Sequence, residues 1–354
     1  EKKARGAAVA AASEESMAKL RLVHRDTLSC ETILRRAPNG ELFIVSQCGD
    51  VSEPAPLNRV YIFHSKDNGQ TWSKGQSVYP EDGRAVYATE VTVLGGEITV
   101  YLTVHDGGFC RCENVAVKSR DNGYTWDSPM RFPENFGSGF TFVRGMLALR
   151  SGALLLPFQN YQIEKTDDER LSAAKLPVWN SEAEFVRNGV FISTDGGRIW
   201  QEGGSNRYPL KDCSGNKVWQ WTEPTLAQLS DDSIVMLLRI RGGYLYRSRS
   251  VDGGLTWSDP EKTDIPNPGN KPKLIQDGKR IILLNTPSSG YGYQYRTPLA
   301  VWVSEDDMQT WKKYVVTDFA GWLSYPDGIA EGNIVRFAFE LNRHDVYYAE
   351  AEID

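Results

Sequence analysis

The residues best placed to do chemistry in this chain are charged or phenolic side chains that open or close short apolar runs. Glu31, Glu90, Arg144, Glu223, Lys271 and Tyr325 each open such a run, and Asp50, His105, Asp106, Asn160, Arg239, Arg343 and His344 each follow one. Arg296 stands just ahead of a further run, Leu299-Ala300-Val301-Trp302. If the runs are paired strands of hairpins, these positions share one face, because the start of one strand lies beside the end of its antiparallel partner. Charges at equivalent strand starts cannot be a packed core, since a buried charge is costly unless paired or solvated. They read as the rim of a concave mouth, the default place for a ligand. Arg144, Arg239, Lys271 and Arg296 predict an anionic ligand, a carboxylate above all, because a guanidinium grips one bidentately. The competing reading is a salt-bridge network that only joins neighbouring elements.

Two interleaved repeats must position these residues. The first is an eight-residue box: Ser65 to Trp72 (SKDNGQTW), Ser119 to Trp126 (SRDNGYTW), Ser193 to Trp200 (STDGGRIW), Ser250 to Trp257 (SVDGGLTW) and Ser304 to Trp311 (SEDDMQTW). The starts lie 54, 74, 57 and 54 residues apart, a period that marks a repeat architecture. In each box an Asp bonds nearby backbone N–H groups, Gly supplies positive φ, and Trp covers the turn. The fifth box lacks the glycine. The second repeat is a hairpin of two apolar strands, with turns at Asn39-Gly40, Gly95-Gly96, Ser151-Gly152, Asp231-Asp232, Asp277-Gly278 and near Gly332. Six hairpins, five of them followed by a box, predict an all-β, six-bladed β-propeller. The sixth blade lacks a box and needs one more strand; Leu20 to His24 is the donor that would close the ring and remove its free edges. The expected organisation is a tail or linker over 1–16 and one propeller over 17–354. The longest interval carries a polar insertion, Glu164 to Glu184, read as a surface loop of the third blade.

Composition narrows the function classes. Net charge is −6 and no Lys/Arg cluster stands out, so nucleic acid and anionic membrane are poor partners. No apolar run approaches the roughly 18–20 residues of a membrane span. Cys30, Cys48, Cys110, Cys112 and Cys213 are odd in number and lack zinc spacing. Cys30 and Cys48 fall on the two strands of one hairpin, which leaves a bridge between them, and the compartment, open. Four histidines without paired spacing argue against a catalytic metal, and no phosphate-binding glycine loop points to a nucleotide. The expectation is no cofactor, a carbohydrate partner, and a monomer or small homo-oligomer.

The boxes resemble the Asp boxes of sialidase-type β-propellers, and from about residue 20 to 354 the chain is similar to exo-sialidase-family glycoside hydrolases. The resemblance implies roles for single positions. Glu223, in TEPTLAQLSDD, resembles the glutamate that activates the nucleophile, and Tyr325, in LSYPDG, resembles the nucleophilic tyrosine. Arg239, ending VMLLR, and Arg296, in YQYRTP, resemble the second and third arginines that hold a substrate carboxylate. Glu340, in FAFE, resembles the glutamate that buttresses the first arginine. That first arginine is missing: the opening strand reads Ser29-Cys30-Glu31-Thr32-Ile33, and Arg35 and Arg36 lie several residues further on. The acid/base carboxylate falls in the loop after Gln47, with Asp50 as first choice and Glu53 as second. Substrate binding would draw on Arg239, Arg296, Arg144, Lys271, Glu31, His105, Asp106, Glu340 and Arg343.

The resemblance implies a retaining hydrolase with a Tyr nucleophile. A phenol suits an anomeric carbon that bears a carboxylate, because a carboxylate nucleophile would be repelled; its pKa near 10 then demands a base. Two alternatives remain at this stage. One is a lyase or glycosidase acting on uronic-acid glycans, with His105 as base or acid and Arg239 neutralising the carboxylate. The other is a glycan-binding propeller without activity.

Overall fold

The computed structural model describes residues 18–109, 112–132, 140–162, 183–317 and 321–354. The segment 1–16, Cys110 and most of the 164–184 insertion lie outside them. Six antiparallel sheets follow one another. The first comprises Ser29–Arg36, Leu42–Cys48, Arg59–Ser65 and Gln76–Ser77; the second Ala85–Leu94, Glu97–His105, Glu113–Ser119 and Met130–Arg131. The third comprises Phe140–Val143 with the short Leu147–Ala148, then Leu154–Gln162, Phe185–Ser193 and Gln201–Pro209. The fourth comprises Pro224–Gln228, Ile234–Leu238, Tyr244–Ser250 and Glu261–Pro266; the fifth Lys273–Asp277, Arg280–Asn285, Leu299–Ser304 and Lys312–Thr317. The sixth takes Leu323–Glu331, Ile334–Leu341 and Asp345–Glu352 from the C-terminal end and Lys19–Arg25 from the N-terminal end. Leu20 faces Ala349 and Leu22 faces Tyr347 in that last pairing, so the sixth blade is closed by the predicted strand.

Apolar clusters fill the space between each blade and the next. Ile33, Val45 and Ile62 of the first blade meet Val86, Val91 and Val100 of the second. Tyr101 of the second meets Leu156 and Phe191 of the third. Further clusters join third to fourth, fourth to fifth and fifth to sixth. Leu34, Leu42 and Ile44 of the first blade then pack on Ala338, Val346 and Tyr348 of the sixth, which closes the round. Burial of such side chains, about 1.5–3 kcal/mol each, drives the ring together. The innermost strands adjoin one another around the axis, which is where the polar strand starts converge.

The boxes do more than turn the chain. Ser65 Oγ donates to Asp67 Oδ1 (2.8 Å) and accepts the Gly69 N–H (2.8 Å), while Asp67 Oδ1 accepts the Thr71 N–H (2.8 Å). Each box then docks on the preceding blade. A Cβ on Gly69 would fall 2.3 Å from the Tyr348 ring of the sixth blade. Trp72 packs on that ring at 5.4 Å between centroids. The fifth box keeps the same bonds without glycine: Asp307 and Met308 take left-handed backbone, with φ 61 and 65, and the Met308 N–H still bonds Ser304 Oγ at 2.9 Å. Cys30 and Cys48 are free, correcting any bridge: Cys30 faces Gln47 and Cys48 faces Ser29, so their side chains leave opposite sides of the hairpin.

Box docking predicts a contrast between two glycines of nearly equal φ. Gly40 (φ +91) has nothing near its missing Cβ, whereas Gly69 (φ +92) faces Tyr348. Gly40→Ala is expected to cost about 1–2 kcal/mol for its left-handed backbone alone. Gly69→Ala adds roughly 1–3 kcal/mol of overpacking, read from chemical-denaturation midpoints. Equal losses would show that the box does not bear on the neighbouring blade.

Candidate active site

Six strand starts were expected on one face, and the structure sorts them into two levels. Glu90 is a correction: its strand begins at Ala85, which pairs with His105, so Glu90 sits further down the axis. There its carboxylate takes Arg35 Nη2 (2.7 Å) and the backbone N–H of Met146 (2.6 Å). Arg35 also bonds Asp327, and Lys273 lies 3.5 Å from Asp327. This lower level is a salt-bridge network that staples neighbouring blades together. It also removes Arg35 as a stand-in for the missing first arginine. Arg36 is held by Glu331 (2.6 Å) and Asn68 (2.9 Å).

The upper level centres on Tyr325 and Glu223, brought together from the sixth and fourth blades. Tyr325 Oη donates to Glu223 Oε1 at 2.8 Å. Arg239 Nη1 donates to both Glu223 Oε2 and Tyr325 Oη, each at 2.8 Å. Arg239 reaches there because its backbone N–H bonds Glu223 O just beyond the paired strands of the fourth blade. Tyr325 sits in a bulge of its strand, with φ 52, and Asn270 Oδ1 accepts its N–H at 3.2 Å. Glu31 occupies a matching bulge, with φ 54. Bulges re-aim side chains, and here they turn both residues into the axis.

Glu31 and Arg144 form the supporting pair. Arg144 Nη1 donates to Glu31 Oε2 (2.8 Å), its Nη2 lies 3.2 Å from Glu223 Oε1, and its Nε donates to Gln159 Oε1 (3.1 Å). Tyr87 donates to Glu31 and accepts from Arg144 (3.1 Å). Lys271 Nζ is 3.6 Å from Glu31 Oε2 and 5.1 Å from the Tyr325 ring centroid. Arg144 is only 3% exposed and spends its donors on protein groups, so it holds Glu223 and Glu31 in place rather than facing a ligand.

Electrostatics assigns protonation. Burial alone would raise the Glu223 pKa, but Arg239 and Arg144 outweigh it and hold the carboxyl at about 2. Burial, and then the Glu223 charge, push the Tyr325 phenol well above its usual value, with Arg239 opposing. The pair is therefore an ionised carboxylate accepting from a neutral phenol.

The remaining predicted residues divide by position. Arg296 donates to Ser324 Oγ and to Gly269 O, both at 2.9 Å, and its guanidinium lies 5.7 Å from the Tyr325 ring. Glu340 is fully buried, and neither carboxylate oxygen has a hydrogen bond of full geometry. Burial, with Glu31 adding, pushes its pKa well above the carboxylate range. In the 49–58 loop, Asn58 bonds Ala55 N–H, Gly49 O and Ser52 O and fixes the shape. Asp50 caps that loop: its oxygens accept the N–H groups of Val51 (2.7 Å) and Leu57 (3.2 Å). Glu53 instead turns inward, bonded to Arg343 and accepting the Cys30 thiol at 3.4 Å. Asp106 is exposed, its Oδ1 accepting the Gly108 N–H at 3.0 Å.

His105 bonds within its own loop. It is fully buried, its Nδ1 accepts the N–H of Gly107 (3.0 Å) and of Phe109 (3.3 Å), and burial lowers its pKa to about 4. The ring packs against Phe109, 4.6 Å between centroids. Sequence reasoning missed Tyr87, Gln159, Asn270 and Tyr293, which stand one bond behind the charged residues. Only Tyr87, three residues before Glu90 on an inward strand, carried a signal.

A family profile described as a BNR repeat-like domain matches residues 88–336, so the chain belongs to that family of β-propeller proteins. Among particular relatives it is similar to a sialidase of Paraclostridium sordellii, at 23% identity over 306 residues, covering 80% of this chain and 67% of that protein. A Dyadobacter fermentans protein of unknown function shares the fold with TM-score 0.71 and 16% identity, covering 95% of this chain and 98% of that one. Trypanosoma rangeli sialidase, solved with 2,3-difluoro-KDN, superposes with TM-score 0.68 at 12% identity over 95% of this chain. The present chain spans 58% of that sialidase. The NanB sialidase of Streptococcus pneumoniae gives 0.67 at 16% identity, covering 94% of this chain and 70% of that one.

The depressed Glu223 pKa has a consequence for stability. A carboxyl held at about 2 when folded, against about 4.3 in an unfolded chain, adds stability that is present above pH 4.3 and lost as the pH falls through 2. The stability gap between wild type and Glu223→Gln should therefore narrow from about pH 5 to about pH 2. Circular dichroism with urea at each pH reads it, and a constant gap would contradict the assignment.

Proposed function

We propose that this protein is a sialidase-like exo-glycoside hydrolase that acts on a terminal anionic sugar with retention. The observation that carries the reading is the three-way contact of Tyr325, Glu223 and Arg239, each link 2.8 Å long. A phenol bonded to an ionised carboxylate is a nucleophile with its base in place. Tyr325 Oη attacks the anomeric carbon as its proton passes to Glu223, and the bond to the leaving oxygen breaks. That oxygen takes a proton from the acid/base residue, which then draws a proton from the water that attacks the anomeric carbon; the bond to Tyr325 Oη breaks and Glu223 returns the proton to the phenol. Glu53 suits this second role better than Asp50, since both Asp50 oxygens are spent on their own loop, and Glu53 can take up a proton once a sugar carboxylate replaces it on Arg343.

The cations support an acidic substrate. Arg144, Arg239, Lys271, Arg296 and Arg343 surround four carboxyls, Glu31, Glu53, Glu223 and Glu340, and burial pushes the last toward its neutral form. An excess of positive charge in a water-poor site favours an incoming carboxylate. Arg239 and Arg296 lie beside the nucleophile, and they are assigned to the sugar carboxylate.

Fluorogenic sialosides and uronides, screened with wild type, Tyr325→Phe and Glu223→Ala, test the reading. Each variant should lose about 10²-fold or more of kcat, with KM changed much less. Turnover that survives both substitutions would exclude this chemistry.

A further inference from the structure

We propose that Arg343 supplies a third cation for the substrate carboxylate, beside Arg239 and Arg296, and so sets a preference for sugar acids over neutral sugars. The inference rests on the anionic-sugar reading above. The opening strand offers no cation to the mouth: Cys30 and Glu31 stand there, and Arg35 is spent on Glu90 and Asp327. Arg343 comes instead from the sixth blade, on the turn between Ile334–Leu341 and Asp345–Glu352. Asn342 and Arg343 take φ 56 and 58, left-handed backbone that costs free energy for non-glycine residues and recurs at ligand clamps.

Three features connect it to the site. Arg239, Arg296 and Arg343 each retain a buried Nε–H with no hydrogen-bond partner. Buried donors are rarely left unpaired, so three on neighbouring guanidiniums point to an absent acceptor. The guanidiniums also run in a row: Arg343 and Arg296 lie 5.8 and 4.3 Å from the Tyr293 ring centroid, and Arg296 and Arg239 lie 5.7 and 5.9 Å from that of Tyr325. Last, the Arg343 side chain is the most open of the three, 20% exposed against 7% for Arg239, while its Nε sits 3.8 Å from the buried Glu340 carboxyl.

In the free protein Arg343 Nη2 is paired with Glu53, and Nη1 donates to Tyr293 Oη at 2.9 Å. Glu53 therefore competes with a ligand carboxylate for the same cation. Removing the Glu53 charge should tighten sugar-acid binding even as it removes the proposed acid/base group. A pair that served only to join the loop to the sixth blade would not behave so.

The test titrates N-acetylneuraminic acid and glucuronic acid, with glucose as neutral control, into the full chain by calorimetry. Wild type, Arg343→Ala, Arg343→Lys and Glu53→Gln are compared, each in a Tyr325→Phe background so that binding is read apart from turnover. Arg343→Ala should weaken sugar-acid binding about tenfold or more, with Arg343→Lys recovering part of it and Glu53→Gln tightening it at least about twofold. If Arg343→Ala fails to fold, the Lys and Gln variants still carry opposite expected signs. Unchanged affinity in the Arg343 variants, or weakening in Glu53→Gln equal to that of Arg343→Ala, overturns the proposal. Arg343-dependent binding without hydrolysis by the wild type removes the hydrolase reading and leaves the clamp standing. No binding of either acid removes both.

Discussion

Everything at the mouth of this propeller depends on holding the Glu223 carboxylate ionised where almost no water reaches it. An isolated carboxylate would protonate in such a place. Arg239 on one side and Arg144 on the other prevent that, at 2.8 and 3.2 Å. Arg144 must in turn be kept from collapsing onto Glu223 alone, and Glu31, Tyr87 and Gln159 restrain it. The result is a buried, ionised carboxylate that accepts the Tyr325 hydrogen bond. Desolvation offsets part of the attraction within this arrangement. Its worth lies in orientation.

The architecture was legible because it repeats. Five recurring boxes and six small-turn hairpins determine blade number, and the sixth hairpin, which has no box, points to a missing strand. The faces were legible too: Tyr325, Glu223 and Arg239 sit at strand ends whose geometry requires only that hairpins be antiparallel. Depth was less legible. Glu90 and Glu31 both open apolar runs, yet one lies below the site and the other within it. The difference arises from where each strand begins and from the bulges at Glu31 and Tyr325, which leave no mark in residue type.

The second rank of residues was hidden for a related reason. Tyr87, Gln159 and Asn270 look like ordinary members of strands and turns. Their importance comes from contacts across blades, which no local pattern records. The different placement of Asp50 and Glu53 was likewise invisible, since both occupy one short polar loop. It turns on Asn58, which folds that loop so that one carboxylate caps it and the other points inward.

The sixth blade ties Lys19–Arg25 to Asp345–Glu352, strands more than three hundred positions apart. During synthesis the earlier strand emerges long before its partner exists. It must wait, unpaired, while the five intervening sheets assemble. Ring closure is thus a late, non-local event, slow by the entropy of joining distant segments. Until that clasp forms, Asp345–Glu352 is an open edge of the sixth blade, exposed to other chains.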